Sequence, residues 1–329
     1  MKKERVAIGV LAATLLIVLI AFGVIVQPLK AARYLYRKQV HVVDGIDDKF
    51  YTHGLTQIAL PWEIRYPNVN LTVISYGGFG NSLMSLACAF EACLYYGLRP
   101  PMFSYEKGGD FDFHKLGKPS QPFDDAPMSL NEFYPYLNSV ITNSFMGSYL
   151  ISNSPAIWRA RELKEFPLKQ SVIQITDFRY ALKISDQAFN MVSRSINPKI
   201  FDYIRRNYNI GPDTMAVHLR LGQPTDDFVP PSPSPGDIVK FHQEMLPRKV
   251  LVFTDNKEKA LTVMQQTSLE YDMVNDVNYI ECLLMSMCSS AIISESTFSA
   301  SACRMGNIKK VRLPHTAIGV KQDEEWTVY

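Results

Sequence analysis

The stretch Leu71-Thr72-Val73-Ile74-Ser75-Tyr76-Gly77-Gly78-Phe79-Gly80-Asn81 decides the fold. A short β-prone, apolar-rich run passes straight into a glycine turn, and Ser82 to Tyr96 then reads as a helix that is small and apolar on most faces. Gly97, with Pro100 shortly after, supplies the stop signals. Strand, glycine turn and buried helix are how an α/β domain with a parallel sheet begins. The glycines do not follow G-x-G-x-x-G, so a nicotinamide-type dinucleotide site is not indicated, and no G-x-x-x-x-G-K-[ST] loop for ATP is present.

Downstream, the pattern loosens between Phe103 and Trp158 into Gly, Pro, Asp and aromatic residues, which predicts loops and short helices shaping an acceptor cleft. Val172-Ile173-Gln174-Ile175 predicts a strand, and Asp186 to Tyr208 a helical stretch. The α/β pattern restarts at Thr214-Met215-Ala216-Val217-His218-Leu219-Arg220, followed by a proline-rich loop from Pro224 to Pro235 and a short helix near Asp237. Lys249 to Asp255 is a second apolar strand with a helix after it. Tyr279 to Met287 is helical, Ala291 to Ser294 is a strand, and Ser296-Thr297-Phe298-Ser299 opens another helix. Three successive strands thus end in polar residues, at the carboxyl ends where open α/β sheets bind ligands.

Upstream, Val6 to Val26 carries no charge and is long enough to span a bilayer, which takes ~20 apolar residues. Ala21-Phe22-Gly23 would serve as a signal-peptidase site if only Val6 to Ile20 counted as the apolar core. Lys2, Lys3 and Arg5 precede the run while Lys30, Arg33, Arg37 and Lys38 follow it, so the positive-inside rule does not choose an orientation. A span that begins almost at the first residue, and the N-glycosylation sequon Asn70-Leu71-Thr72, favour a luminal body. The expected organisation is a cytosolic tail at 1–5, a signal-anchor at 6–26, a stem at 27–70 and a folded body in two parts, 71–210 and 211–329.

A net charge of +2 over 329 residues argues against a nucleic-acid binder. The five cysteines are Cys88, Cys93, Cys282, Cys288 and Cys303, an odd number that leaves at least one unpaired in an oxidising lumen. Cys88 and Cys93 lie about 140° apart around a helix, so any disulfides must be long-range. There is no C-x-x-C pair for a structural zinc site. Asp110-Phe111-Asp112 has the D-x-D spacing of metal-dependent transferases but lies in the Gly-rich loop region rather than after an apolar strand. Asp124-Asp125 and Asp226-Asp227 read as solvated loop carboxylates, so no metal is expected.

Alternation puts His218 and Arg220 on one face of their strand. A rigid guanidinium at a strand end suits the growing charge of a diphosphate leaving group; the plainer reading is a structural ion pair. Ser296 and Thr297 sit where a strand turns into a helix, so their hydroxyls and the following N–H groups can hold phosphate oxygens or simply cap the helix. Asp255 is placed to accept from a guanine edge or a ribose hydroxyl, or to cap the helix beginning near Lys257. Asn81 carries the same ambiguity.

In order, these segments resemble the fucosyltransferases related to the α-1,2 enzymes, with a kinship to the protein O-fucosyltransferases. Gly77-Gly78-Phe79-Gly80-Asn81-Ser82-Leu83-Met84 resembles their glycine motif G-R-x-G-N-x-M/F, and Ala216-Val217-His218-Leu219-Arg220 resembles V-H-x-R-R-x-D. Val252-Phe253-Thr254-Asp255-Asn256 resembles V-F-S-D-D, and Glu281 to Ser301 is similar to L-M-S-x-C followed by I-x-S-N-S-T-F-S-W-W-A. The resemblance covers roughly residues 70 to 305. It implies a GT-B-like, two-lobed Rossmann-type glycosyltransferase fold, with 71–210 as the acceptor-side lobe and 211–329 as the nucleotide-sugar-binding lobe, and a metal-independent inverting transfer from GDP-fucose to a glycan or glycoprotein acceptor. By position, Arg220 would hold the β-phosphate, His218 and Asp255 the guanine side, and Ser296, Thr297 and Phe298 the diphosphate region, with Asn81 reaching in from the other lobe. The expected setting is the Golgi membrane, single-pass type II, with Asn70 glycosylated.

The departures are specific. Gly78 stands where the family has Arg, Leu221 replaces its second Arg, Gln223 replaces its Asp, and Ala300 and Ser301 replace the paired tryptophans. The protein O-fucosyltransferases manage with H-L-R followed by an apolar residue and Gly, as in Leu221-Gly222. A catalytically degenerate relative that binds a glycan or nucleotide in the lumen is the alternative expectation.

Overall fold

The computed structural model describes residues 60–74, 78–106, 118–127, 130–137, 139–142, 156–159, 163–165, 168, 172–177, 184–222, 230–314 and 326–329. The expected signal-anchor at 6–26, Asp110-Phe111-Asp112, Gln223 and Asp226-Asp227 lie outside the described residues. Among those described, no helix is long and apolar enough to cross a membrane.

The opening strand, β1 (Asn70–Ile74), is the middle of a five-stranded sheet. Its partners are β2 (Met102–Glu106) and β5 (Val172–Asp177), both parallel to it, with β3 (Ser139–Thr142) beyond β2 and β4 (Ala156–Arg159) beyond β5. Gly78 leads into α1 (Phe79–Tyr96), which ends on Gly97 in the left-handed conformation at φ 70°. A Cβ at Gly97 would meet the Glu63 carbonyl at 2.6 Å. Arg65 and Tyr66 donate their N–H groups to the Gly97 carbonyl, and the Trp62 indole N–H donates to the Leu98 carbonyl at 2.7 Å. The described end of the expected stem is therefore packed on the end of α1.

The sequence pattern between Phe103 and Trp158 predicted loops and short helices, but β2, β3 and β4 occupy part of that interval, with one helical turn, α2 (Leu130–Phe133). Each of these strands has only four or five residues, too few for alternation to register. The helical stretch expected from Asp186 to Tyr208 is broken in two, α3 (Asp186–Ser195) and α4 (Pro198–Asn207). Pro198 cannot donate an intrahelical bond and so begins a new helix, with the Asn197 side chain accepting from the Lys199 N–H at 3.1 Å.

The second sheet is built from residues 214–328 and all its pairs are parallel, in the order β11-β10-β9-β6-β7-β8. Its central strand, β6 (Thr214–Leu219), is buried along its whole length, as a parallel strand covered on both faces must be. It lies between β7 (Lys249–Thr254) and β9 (Ser290–Ile293). The edges are β8 (Asp272–Met273) on one side, and β10 (Lys310–Leu313) and β11 (Thr327–Val328) on the other. The connecting helices are α5 (Pro235–Met245), α6 (Lys257–Gln265), α7 (Asn278–Ser286) and α8 (Thr297–Met305).

Helices α1, α3 and α8 pack on one another and carry one apolar core across both sheets. Leu71 and Val73 of β1 belong to the same buried cluster as Ala216 of β6 and Ala291 and Ile293 of β9. Each large side chain fully buried there, such as Leu83, Leu86 or Phe90, contributes about 1.5–3 kcal/mol. Glu91 is the one charged residue of α1, and its carboxylate accepts from both the N–H and the hydroxyl of Ser185, the N-cap of α3. At the same helix start, buried Arg304 donates to Asp186 at 2.7 Å and to the Ile184 carbonyl at 2.9 Å. No disulfide joins the five cysteines: Cys88, Cys93, Cys282, Cys288 and Cys303 are free thiols buried in this core, where desolvation pushes the Cys93, Cys282, Cys288 and Cys303 thiols up.

Candidate functional site

A cavity of about 560 Å³ opens at the carboxyl ends of β6, β7 and β9. His218, Arg220, Asp255, Ser296, Thr297, Phe298 and Asn81 all line it. Asn70 does not: it is half-buried at the opposite end of β1, paired in register with Val172, and Thr72 of its sequon is buried.

Three helices start at the cavity wall. α1 begins after Gly78, α7 after Val277 and α8 after Ser296, and neither Gly78 nor Val277 supplies a side-chain cap. Helix N-termini carry partial positive charge and unpaired N–H groups, so such starts suit an anion; at α7 the Asp276 and Glu281 carboxylates already accept from the Val277 and Asp276 N–H groups. At α8 the Ser296 hydroxyl accepts from the Phe298 N–H at 3.3 Å. The Thr297 hydroxyl donates instead to Asn81 Oδ1 at 2.6 Å, tying the start of α8 to the start of α1.

Gly80 makes that junction possible. A Cβ built on it would lie 2.2 Å from the Phe298 amide nitrogen and 2.4 Å from its Cα, so only glycine lets the two helix starts come this close. Ser301 completes the contact by donating to the Gly80 carbonyl at 3.3 Å. Gly78 is different, with nothing within 4 Å of a built Cβ.

Arg220 is exposed to the cavity, and its guanidinium makes no hydrogen bond or ion pair among the described residues. The structural ion pair weighed for it is therefore not formed there. His218 is buried beside it, its ring stacked on Phe298 with centroids 5.7 Å apart. Its Nδ1 is buried without a hydrogen-bond partner among the described residues. Burial, with the neighbouring Arg220 charge adding to it, lowers the His218 pKa to about 3, so the imidazole is neutral and one nitrogen is an open acceptor or donor.

Asp255 does not cap the helix after it. The cap of α6 is Asn256, whose Oδ1 accepts from Lys259 N–H at 3.2 Å, while Asp255 Oδ1 accepts from the Leu221 N–H at 2.8 Å. Asn256 Nδ2 donates to the Gly222 carbonyl at 3.0 Å and Lys259 Nζ to the Leu221 carbonyl at 3.0 Å. The turn after β7 thus grips the turn after β6, where Gly222 takes φ 72°.

Glu281 was missed as a site residue. It stands in the first turn of α7 and lines the cavity, with Oε1 accepting from the Asp276 N–H at 3.0 Å. Burial raises its pKa to about 7, opposed by that hydrogen bond and by Lys257 and reinforced by the Asp276 carboxylate. The available signal was an acid between Ile280 and Cys282 on a helix otherwise apolar over Ile280 to Met285. Glu295 and Asn278 also line the wall. Among the described residues no cluster of three or more metal-ligating side chains occurs.

No family model matches the chain, and no curated protein does. Comparison with solved structures finds fucosyltransferases. Fucosyltransferase NodZ from Bradyrhizobium is 15% identical, with 71% of this chain covering 92% of that one at a TM-score of 0.40. POFUT1 in complex with GDP is 12% identical, covering 80% of this chain and 98% of that one at 0.44. A mutant of Arabidopsis thaliana FUT1 in complex with GDP is 16% identical, covering 86% and 77% at 0.45.

Proposed function

We propose that the cavity binds GDP-fucose and that the chain transfers fucose, with inversion, to a hydroxyl of a glycan or glycoprotein acceptor in the manner of the α-1,2-fucosyltransferases. The carrying observation is one cavity that collects a guanidinium without a partner among the described residues, helix starts without side-chain caps and a buried neutral imidazole. This set suits a nucleoside diphosphate: the helix starts and Arg220 take the pyrophosphate, and His218 and Phe298 flank it. The Glu281 and Asp255 carboxylates accept from a guanine edge and the ribose. A carboxylate facing the base favours guanine, whose N1–H and amino group are both donors, over adenine, whose N1 is an acceptor.

In the transfer, the acceptor oxygen attacks the anomeric carbon and the bond from that carbon to the β-phosphate oxygen breaks. GDP leaves with its new negative charge against Arg220. A donor placed for such charge is worth ~3 kcal/mol in the transition state. The acceptor proton goes to a general base or to water, and no metal takes part in this reading. The apolar run from Val6 to Val26 and the Asn70 sequon support a type II Golgi anchor with a luminal body.

A second reading, a luminal binding protein that no longer catalyses, is favoured by Gly78, Leu221 and Gln223, which stand where the resembled motifs have two arginines and an aspartate. Calorimetric titration of the chain with GDP and GDP-fucose in the presence of a chelator tests the donor site. Binding that weakens tenfold or more in Arg220→Ala is expected, and binding unchanged by that substitution removes the mechanism. Release of GDP from GDP-fucose when glycan acceptors are supplied then separates the enzyme from the binder.

A further inference from the structure

The N–H groups of a strand point alternately toward its two neighbours. In β6 the regular ladder ends at Leu219, yet the next two N–H groups are still held, one on each side. Arg220 N–H donates to the Ser294 hydroxyl at 2.8 Å on the β9 side, and Leu221 N–H donates to Asp255 Oδ1 at 2.8 Å on the β7 side. Both neighbouring backbones have turned away by then: Glu295 N–H donates to the Pro231 carbonyl at 3.0 Å, and Asn256 is already capping α6. The central strand therefore runs two residues past its ladder on side-chain oxygens.

The hydroxyl of Ser294 is itself oriented. It donates to the His218 carbonyl at 2.8 Å, which turns a lone pair toward the Arg220 N–H. Ser232 closes the arrangement: its hydroxyl lies 2.8 Å from the Arg220 carbonyl and 2.7 Å from the Ser294 oxygen, and its one proton is shared between these two acceptors. Both peptide groups flanking the Arg220 Cα are thus fixed, and with them the direction of its Cα–Cβ bond. The guanidinium has no partner of its own among the described residues, so its aim depends on this base.

We propose that Ser294 and Ser232, with Asp255, are positioning residues that aim Arg220 at the diphosphate, an inference that rests on the donor-site reading above. Holding the base of a long side chain lowers the entropy lost when its tip is ordered by a ligand. The gain is expected only while the guanidinium is present.

A double-mutant cycle read by calorimetric GDP affinity tests this. Ser232→Ala is expected to weaken GDP binding about fivefold to tenfold in the otherwise native chain and by less than twofold in an Arg220→Ala background. Ser232→Thr, which keeps the hydroxyl, should return the affinity to within twofold of native. Ser294→Ala should repeat the pattern more strongly, and because Ser294 is buried, the half-exposed Ser232 carries the test if that variant does not fold. Equal losses in both backgrounds, or none in either, overturn the positioning role while leaving the donor site in place. A native chain that binds no GDP overturns the donor-site reading, and this inference falls with it.

Discussion

Glu281 and His218 hold opposite protonation states against their ordinary tendencies, and each leaves a mark on stability. The folded chain keeps the Glu281 proton up to about pH 7, whereas the unfolded chain releases it near 4.5. Its contribution is therefore complete below pH 4.5 and lost as pH rises through 7. His218 works the other way: its contribution is complete above pH 6.5 and lost as pH falls toward 3. Glu281→Gln keeps the acceptor for Asp276 N–H and removes the charge. Relative to the native chain it should gain about 2 kcal/mol in stability between pH 5 and pH 8, measured by denaturant titration at each pH. A difference that stays flat across that range would contradict the buried carboxyl. Most of the cavity was legible in the sequence because strand ends are visible: His218 and Arg220, Asp255, and Ser296 to Phe298 each follow an apolar run. Glu281 was not, because a helix turns its residues through 100° per step and nothing local says which face meets a cavity. Nor could local sequence tell that Asp255 would hold Leu221 and leave the cap to Asn256.

The start of α1 shows how two neighbouring glycines in one motif differ in kind. Gly80 faces the Phe298 backbone, and Gly78 faces open space. Gly80→Ala should cost about 3 kcal/mol or prevent folding, because backbone and not a flexible side chain must move. Gly78→Ser, at the N-cap, should change stability by less than about 0.5 kcal/mol. Thermal unfolding of the two variants side by side measures this, and a mild Gly80→Ala would mean that α1 and α8 do not meet as closely as described. Elements with long apolar runs, such as β1, β6, β7 and α1, were readable from pattern and came out within a few residues. β2, β3 and β4 were not, since a strand of four or five residues takes its identity from the sheet it joins. The break at Pro198 was readable in principle, but the amphipathic stripes of α3 and α4 run on past it and outweighed the one proline.

At the scale of the whole molecule, the two sheets share one core through α1, α3 and α8, so the described parts should unfold together. The buried thiols report on this without added labels. Cys88 and Cys93 lie in the first half of the chain, and Cys282, Cys288 and Cys303 in the second. In a denaturant series with a thiol-reactive probe and mass spectrometry, all five should become reactive at one midpoint. Separate midpoints for the two sets would mean two cores. The same topology sets a clock during synthesis. β1 stands in the middle of its sheet, yet Val172, the partner of Asn70 in β5, leaves the ribosome roughly 5–20 s later at ordinary rates of 5–20 residues per second. For that interval β1 has β2 to pair with, while Asn70, whose partner lies in β5, stays at an open edge of the sheet. On the luminal reading proposed above, the Asn70 sequon is open to a glycosylating enzyme only until β5 arrives and Thr72 is buried, so the occupancy of Asn70 would record how fast the chain was made.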